Sequence, residues 1–332
     1  MTTNLPTGIR LQSTRRLAAS EVAAVADLVD DATDADGVRP LSEHVLLHLR
    51  YGGDEPTRNL LVWREDPRQL LAYAHLDITD PIEGPSAEMV VAPSARRHGF
   101  GRTLIEGVLE QSGDRLRLWA HGDLPEASLM AEKLGFRRVR VLWQMRRSLF
   151  APLPRVEVPD GVTIRTFVPG ADDEAWLALN AKAFADHPEQ GAWTEDDLVR
   201  RMNEAWFDPA GFFLAERTDS GELIGFHWTK VHGSGAGHAP DHAHDHAGEH
   251  AHDHSHDHGH EPIGEVYVVG VDPAAHARGL GRLLTVVGLR HLRSMGLLDV
   301  MLYVDESNTR AIRLYESLGF TRFAKDVLFR RG

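Results

Sequence analysis

The stretch Gly264 to Leu292, GEVYVVGVDPAAHARGLGRLLTVVGLRHL, opens with an acidic residue and a short β-branched run, passes a proline, and then turns amphipathic with helical spacing. It reads as a strand ending over Val268 to Asp272, a turn at His276-Ala277-Arg278-Gly279-Leu280-Gly281, and a helix that begins near Arg282. Glycines 279 and 281 remove Cβ atoms from the turn, the backbone amides point outward, and the helix end adds partial positive charge. A diphosphate fits such a turn. A lone G-x-G equally suits a turn that only packs. This one is neither a Walker loop, since no GK[ST] follows, nor a dinucleotide fingerprint, since G-x-G-x-x-G fails at Leu284.

The same pattern stands earlier in the chain as Ala87 to Gln111, AEMVVAPSARRHGFGRTLIEGVLEQ. Downstream the likeness continues, with RLRLWAHGD and ASLMAEKLGFRRV in the first half and LLDVMLYVDESN and TRAIRLYESLGFTRF in the second. Each pair is a strand, a helix ended by Leu-Gly-Phe, and a returning strand; Gly135 and Gly319 suit the left-handed position just past a helix. The proline-rich segment Leu149 to Val162 suits a linker, and the second half adds a strand at VTIRTF, a helix at DDEAWLALNAKAF and a hairpin turning at Asp219-Ser220-Gly221. The expected fold is α/β (α+β): two tandem domains, 1–152 and 153–332, each a twisted mixed central sheet flanked by helices.

At 332 residues the chain is long enough for two cores, and its 42% apolar and 26% charged residues are ordinary for a folded soluble protein. It has no cysteine, which excludes disulfides, thiolate metal sites and a cysteine acyl-enzyme. The polar N-terminus lacks a signal-peptide core and no apolar run is long enough to span a bilayer, so a cytoplasmic protein without membrane contact is expected. A net charge of −13 argues against nucleic acid as partner. Gly233 to Pro262 is a low-complexity insertion with ten histidines between His238 and His260, interleaved with Asp and Glu. It reads as a disordered surface loop that could bind Zn²⁺ or Ni²⁺ loosely, with no specific metal site assigned.

The turn and its preceding strand resemble the GCN5-related N-acetyltransferases (GNATs), whose signature is [RQ]-x-x-G-x-[GA] directly after a strand. Arg96-Arg97-His98-Gly99-Phe100-Gly101 matches it fully, and the second copy departs at its first position, His276. Asn308-Thr309-Arg310-Ala311-Ile312-Arg313-Leu314-Tyr315 matches the family's N-x-x-[AS]-x-x-x-Y segment. The resemblance implies acetyl-CoA as co-substrate, held by the amides of a bulged strand at Val269, Gly270 and Val271, by the turn from His276 through Ala277, Arg278, Gly279, Leu280 and Gly281 to Arg282, and by Asn308, Thr309, Arg310, Ala311, Ile312 and Arg313. In the first copy it implies a second CoA site at Met89, Val90, Val91, Arg97, His98, Gly99, Phe100, Gly101 and Arg102.

Direct attack of an amine on a thioester expels a thiolate, and a tyrosine hydroxyl near the sulfur can protonate it. Tyr315 is placed to be that acid. The first half has Ala131 or Glu132 at the corresponding position, so it is expected to bind CoA without performing transfer. An amine near pH 7 is mostly protonated and needs a base, for which Glu265 is the candidate. The alternative readings are a strand-end carboxylate for Glu265 and a core aromatic for Tyr315.

The segments FADHPEQGAWT, EAWFDPAGFFLA, GFHWTKVH and GVRPLSEHVLLHL resemble, over nearly the whole chain, a tandem branch of the family that acetylates the cysteinyl amine of cysteinyl-glucosaminyl-inositol. That resemblance implies that Glu43, Glu189, Lys230, Glu265 and Tyr303 contact this small pseudodisaccharide acceptor. A monomer is expected. Carboxylates accept hydrogen bonds from sugar hydroxyls and attract an ammonium, while Lys and Tyr donate. Two other readings stay open: a family member acting on a protein N-terminus, a polyamine or an aminoglycoside, and a CoA- or metal-binding protein dominated by its histidine insertion.

Overall fold

The computed structural model describes residues 5–51, 57–78, 84–185, 188–232, 262–275 and 279–332. Backbone contacts divide the chain into two compact units: Met1–Gln144 with Val304–Thr309 and Phe323–Gly332, and Met145–Tyr303 with Arg310–Arg322. The units are therefore not the contiguous stretches 1–152 and 153–332. The residues that close the first unit come from the C-terminus of the chain.

In the first unit the strands are β1 (Ile9–Thr14), β2 (Arg58–Glu65), β3 (Arg68–Asp77), β4 (Ser86–Val91) and β5 (Leu116–Ala120), with the long β6 (Arg137–Ser148) starting there. Its helices are α1 (Ala19–Asp36), α2 (Glu43–Tyr51), α3 (Phe100–Ser112) and α4 (Pro125–Lys133). β1 to β4 pair antiparallel in sequence order, and β4 pairs parallel with β5. The far edge of β5 pairs antiparallel with Val327–Arg331 of β12 (Thr321–Arg331), the last strand of the chain. Both returning strands are long and follow identical caps, Gly135 at φ +82° and Gly319 at φ +86°, so either can complete a sheet edge, and the C-terminal one takes this place.

The second unit repeats the order with β7 (Val162–Thr166), β8 (Phe212–Arg217), β9 (Leu223–His232), β10 (Ile263–Val271) and β11 (Asp299–Asp305). β7 to β10 are antiparallel neighbours, and β10 pairs parallel with β11. One face carries α5 (Asp173–Ala183), α6 (Pro188–Gly191) and α7 (Glu195–Met202); α8 (Leu280–Ser294) lies on the other, and α9 (Thr309–Ser317) follows β11. No described helix is long and apolar enough to cross a membrane.

The alternation of β9 builds this unit. Phe226 and Trp228 join Trp176, Leu179, Phe167 and Phe212 in an aromatic core, with Trp228 stacked on Phe212 at 4.5 Å between centroids. On the opposite face His227 meets α8, where its Nδ1 lies 2.7 Å from the Leu284 carbonyl. Burial lowers His227 to about 4, so it is a neutral packing group; a Cβ on Gly288 would come within 2.1 Å of its ring.

Candidate active site

In both units the parallel strand pair opens. Ser86 and Ala87 pair with Arg117 and Leu118, after which β4 continues to Val91 without β5 as a partner. Gly264 and Glu265 pair with Val300 and Met301, after which β10 continues to Val271 without β11. A row of backbone groups faces each opening. The antiparallel ladder decides which ones, because successive amides point to opposite sides. Asp272 N–H donates to Ile224 O at 3.0 Å, so Asp272, Gly270 and Val268 face β9, and Val269 and Val271 face the opening. Ala92 N–H donates to Leu71 O at 2.8 Å, which likewise turns Val90 toward β3 and Met89 and Val91 toward the opening.

This parity commits the amides of Gly270 and Val90 to the ladder, so of the three amides expected to face the cofactor in the second unit, Gly270's turns away. Gly270 has a packing cause instead: a Cβ there would stand 2.5 Å from the Phe226 ring and 3.0 Å from Ala183. The strand irregularity also lies earlier than expected, at Tyr267, where the register slips between Val266 and Val268.

Beyond each opening stands a glycine turn at a helix N-terminus. Gly279 caps α8 at φ +85° and Gly99 caps α3 at φ +88°, with Arg97 also left-handed at φ +68°. Alternating left-handed residues make a concave run of amides suited to anions. Gly281 meets Val271 and Leu314 only at 3.8 and 3.9 Å from an added Cβ, so packing does not require glycine there. At Gly101 an added Cβ would press on Met130 at 3.1 Å. Arg96, the first signature residue, is bound by Asp36 through two hydrogen bonds of 2.7 and 2.6 Å, and so ties the turn to α1. Arg97, His98 and Arg102 are exposed beside that turn, Phe100 is buried, and Arg282 bonds Ser317 at 2.7 Å. His276, Ala277 and Arg278 lie outside the described residues, as does the histidine run 233–261.

Asn308 precedes α9, which carries Thr309, Arg310, Ala311, Ile312 and Arg313; Ile312 is buried and Arg313 exposed. Tyr315 is half-buried against Phe320, and burial pushes its phenol up to about 12, so it stays protonated at neutral pH and can donate. The corresponding positions of α4 hold buried Ala131 and exposed Glu132, with no hydroxyl.

Glu265 is nearly enclosed at the fork between β10 and β11, directly across from Lys230 in the β9 register. His232 Nε2 lies 2.6 Å from Glu265 Oε2. Lys230 Nζ sits over Trp206 at 4.4 Å and Tyr267 at 5.2 Å, and Arg201 donates to the Tyr267 hydroxyl at 2.9 Å. Tyr303, on β11, is exposed. The backbone of Glu189 lies in α6, and its side chain is outside the described residues. Glu43 opens α2 in the first unit.

The counterpart of Glu265 in the first unit is Glu88, and its surroundings differ. Ser42 donates to it through the backbone at 2.5 Å and the hydroxyl at 2.7 Å, and His121 Nε2 lies 3.3 Å away. His121 Nδ1 in turn meets Asp326 of β12 at 2.9 Å. Burial opposes charge on the His121 ring, but the hydrogen bonds to Asp326 and Glu88 override it and hold the imidazolium up at about 10. Burial also opposes the Glu88 carboxylate, and the bonds from His121 and Ser42 bring it below the ordinary range. Both Glu88 oxygens are thus occupied by protein donors, the opposite of what a base needs. The repeat pointed to Glu88 through its acidic residue; His121, Asp326 and His232 carry no such signal.

The acetyltransferase (GNAT) family model matches residues 25–136 and 176–320. The mycothiol acetyltransferase of Acidothermus cellulolyticus is 63% identical over 99% of this chain and 97% of its own, and that of Streptosporangium roseum is 55% identical over 97% and 99%. Among solved structures, a GCN5-related N-acetyltransferase from Sphaerobacter thermophilus shares 27% identity over 98% of this chain and 96% of its own, at a TM-score of 0.68. A tandem GNAT protein from the clavulanic acid biosynthesis pathway, at 16% identity, covers 97% of this chain and 98% of its own with a TM-score of 0.71 and is similar in fold. The chain belongs to the acetyltransferase (GNAT) family, as a tandem, acyl-CoA-dependent acyltransferase within the group named mycothiol acetyltransferase.

Proposed function

We propose that the chain transfers the acetyl group of acetyl-CoA to the cysteinyl amine of cysteinyl-glucosaminyl-inositol, forming mycothiol, and that the second unit performs the reaction. The observation that carries this reading is the pairing of a forked strand, with Glu265 at its fork, and a protonated Tyr315 on α9 in the unit where both occur. The diphosphate rests on the turn before α8, and the amides of Val269 and Val271 receive the acyl and pantetheine part. Glu265 takes the proton of the acceptor ammonium. The freed amine attacks the thioester carbon, the C–N bond forms, the C–S bond breaks, Tyr315 gives its proton to the departing thiolate, and its phenolate takes up the second proton shed by the new amide nitrogen.

Lys230, Glu189, Tyr303, Glu265 and Glu43 supply the donors and acceptors that a polyhydroxylated acceptor requires. The first unit binds a second CoA at its own turn and performs no transfer, because its carboxylate Glu88 is sealed and its α4 has no tyrosine. The test compares kcat/KM for cysteinyl-glucosaminyl-inositol with those for spermidine, an aminoglycoside and a peptide N-terminus. The first is expected to exceed the others by orders of magnitude. Faster turnover of any of the others would replace the acceptor. Equilibrium dialysis with CoA is expected to show two molecules per chain.

A further inference from the structure

His232, the last residue of β9, holds the Glu265 carboxylate at 2.6 Å. The register explains the contact. Glu265 stands opposite Lys230 and Ile263 opposite His232, so Lys230 and His232, two positions apart, share the face to which Glu265 projects. The Glu265 side chain is 9% exposed and that of His232 29%, which places the imidazole between a nearly enclosed carboxylate and solvent. Lys230, directly across, turns its ammonium to the rings of Trp206 and Tyr267.

We propose that His232 is a positioning residue for Glu265, an inference that rests on the assignment of Glu265 as base. A carboxylate only accepts, so the ring places its proton on Nε2 and donates to Oε2. This fixes the plane of the carboxylate and leaves Oε1 as the lone-pair site for the acceptor's proton. The first unit shows the contrast. Ser42 occupies Glu88 Oε1, and Ser42 N–H and His121 occupy Oε2, while the described residues place His232 alone on Glu265, at one oxygen.

The test measures acetyl transfer from acetyl-CoA to cysteinyl-glucosaminyl-inositol by the full chain carrying His232→Ala, His232→Gln, Glu265→Gln, or His232→Ala with Glu265→Gln. His232→Ala is expected to lower kcat about 10- to 100-fold, the loss of one hydrogen bond to a charged group, with the KM for acetyl-CoA unchanged. Glutamine places an amide N–H near the imidazole Nε2 position and is expected to restore most of the rate. In the Glu265→Gln background His232→Ala is expected to add nothing, since its effect runs through the carboxylate. Wild-type turnover by His232→Ala, no rescue by glutamine, or an equal further loss in the double variant would each overturn the role of His232 while leaving Glu265 in place. Wild-type turnover by Glu265→Gln alone would instead remove the base assignment, and this proposal with it. Should thermal unfolding show that His232→Ala is not folded, His232→Asn, too short to reach Oε2, takes its place with the same expectations.

Discussion

Replacing His121 with alanine should unfold the first unit far more readily, and the structure gives the size of the effect. The imidazolium lies between Asp326 at 2.9 Å and Glu88 at 3.3 Å, with all three side chains nearly buried. A rise from 6.5 to about 10 corresponds to roughly 5 kcal/mol of interaction with the charged ring, at about 1.4 kcal/mol per unit. Removing one partner of a buried ion pair costs about 3–5 kcal/mol, and the two figures describe the same interaction and are not added. With a urea dependence of about 2 kcal/mol/M, the midpoint for this unit should fall by about 1.5–2.5 M. The assay is urea unfolding followed by hydrogen-exchange protection of β5 and β12, the strands this cluster joins.

The sign with pH follows from each shift. The raised His121 contributes fully below about pH 6.5 and loses its contribution as pH rises through about 10; the lowered Glu88 contributes above its unfolded value of 4.5 and loses it as pH falls through its folded value. The wild-type advantage should therefore be greatest between about pH 4.5 and 6.5 and shrink toward pH 10. A midpoint change under about 0.5 M, or an advantage that grows toward pH 10, would refute the reasoning.

Two glycines of the second unit should separate binding from packing. Gly281→Ala should weaken CoA binding about tenfold in calorimetry, on the order of 1 kcal/mol, with an unchanged unfolding midpoint, because its Cβ meets protein only at 3.8 Å and beyond. Gly270→Ala should destabilise the unit by about 1–3 kcal/mol through the Phe226 ring, read as a lowered unfolding midpoint. Tyr315→Phe should lower kcat at least tenfold, leave the affinity for CoA within about twofold, and give a smaller loss with an acyl donor whose leaving group needs no proton.

The repeated strand, turn and helix could be read from the sequence because they are local: β-branched runs, a G-x-G and a helical apolar period each declare themselves within about thirty residues of Glu265 or Glu88. Tyr315 and its missing counterpart could be read for the same reason, by laying one copy over the other. What stayed hidden depends on pairing across strands. Gly270 appears as a cofactor amide until the register shows which side it faces. Asp326 meets His121 over 205 positions of sequence because the last strand completes the first unit, an exchange that two similar returning strands leave undecided in the sequence. His232 resembles any histidine at a strand end until its diagonal relation to Glu265 is known.

The central claim is that chemistry occurs at Glu265 and not at its counterpart. Its most direct test is the acetyl-transfer rate to cysteinyl-glucosaminyl-inositol for Glu265→Gln and Glu88→Gln, both measured well below their unfolding temperatures. The expected result is a loss of about 10²- to 10⁴-fold for Glu265→Gln and a wild-type rate per folded molecule for Glu88→Gln. An unchanged rate for Glu265→Gln, or a loss of that size confined to Glu88→Gln, would contradict the account.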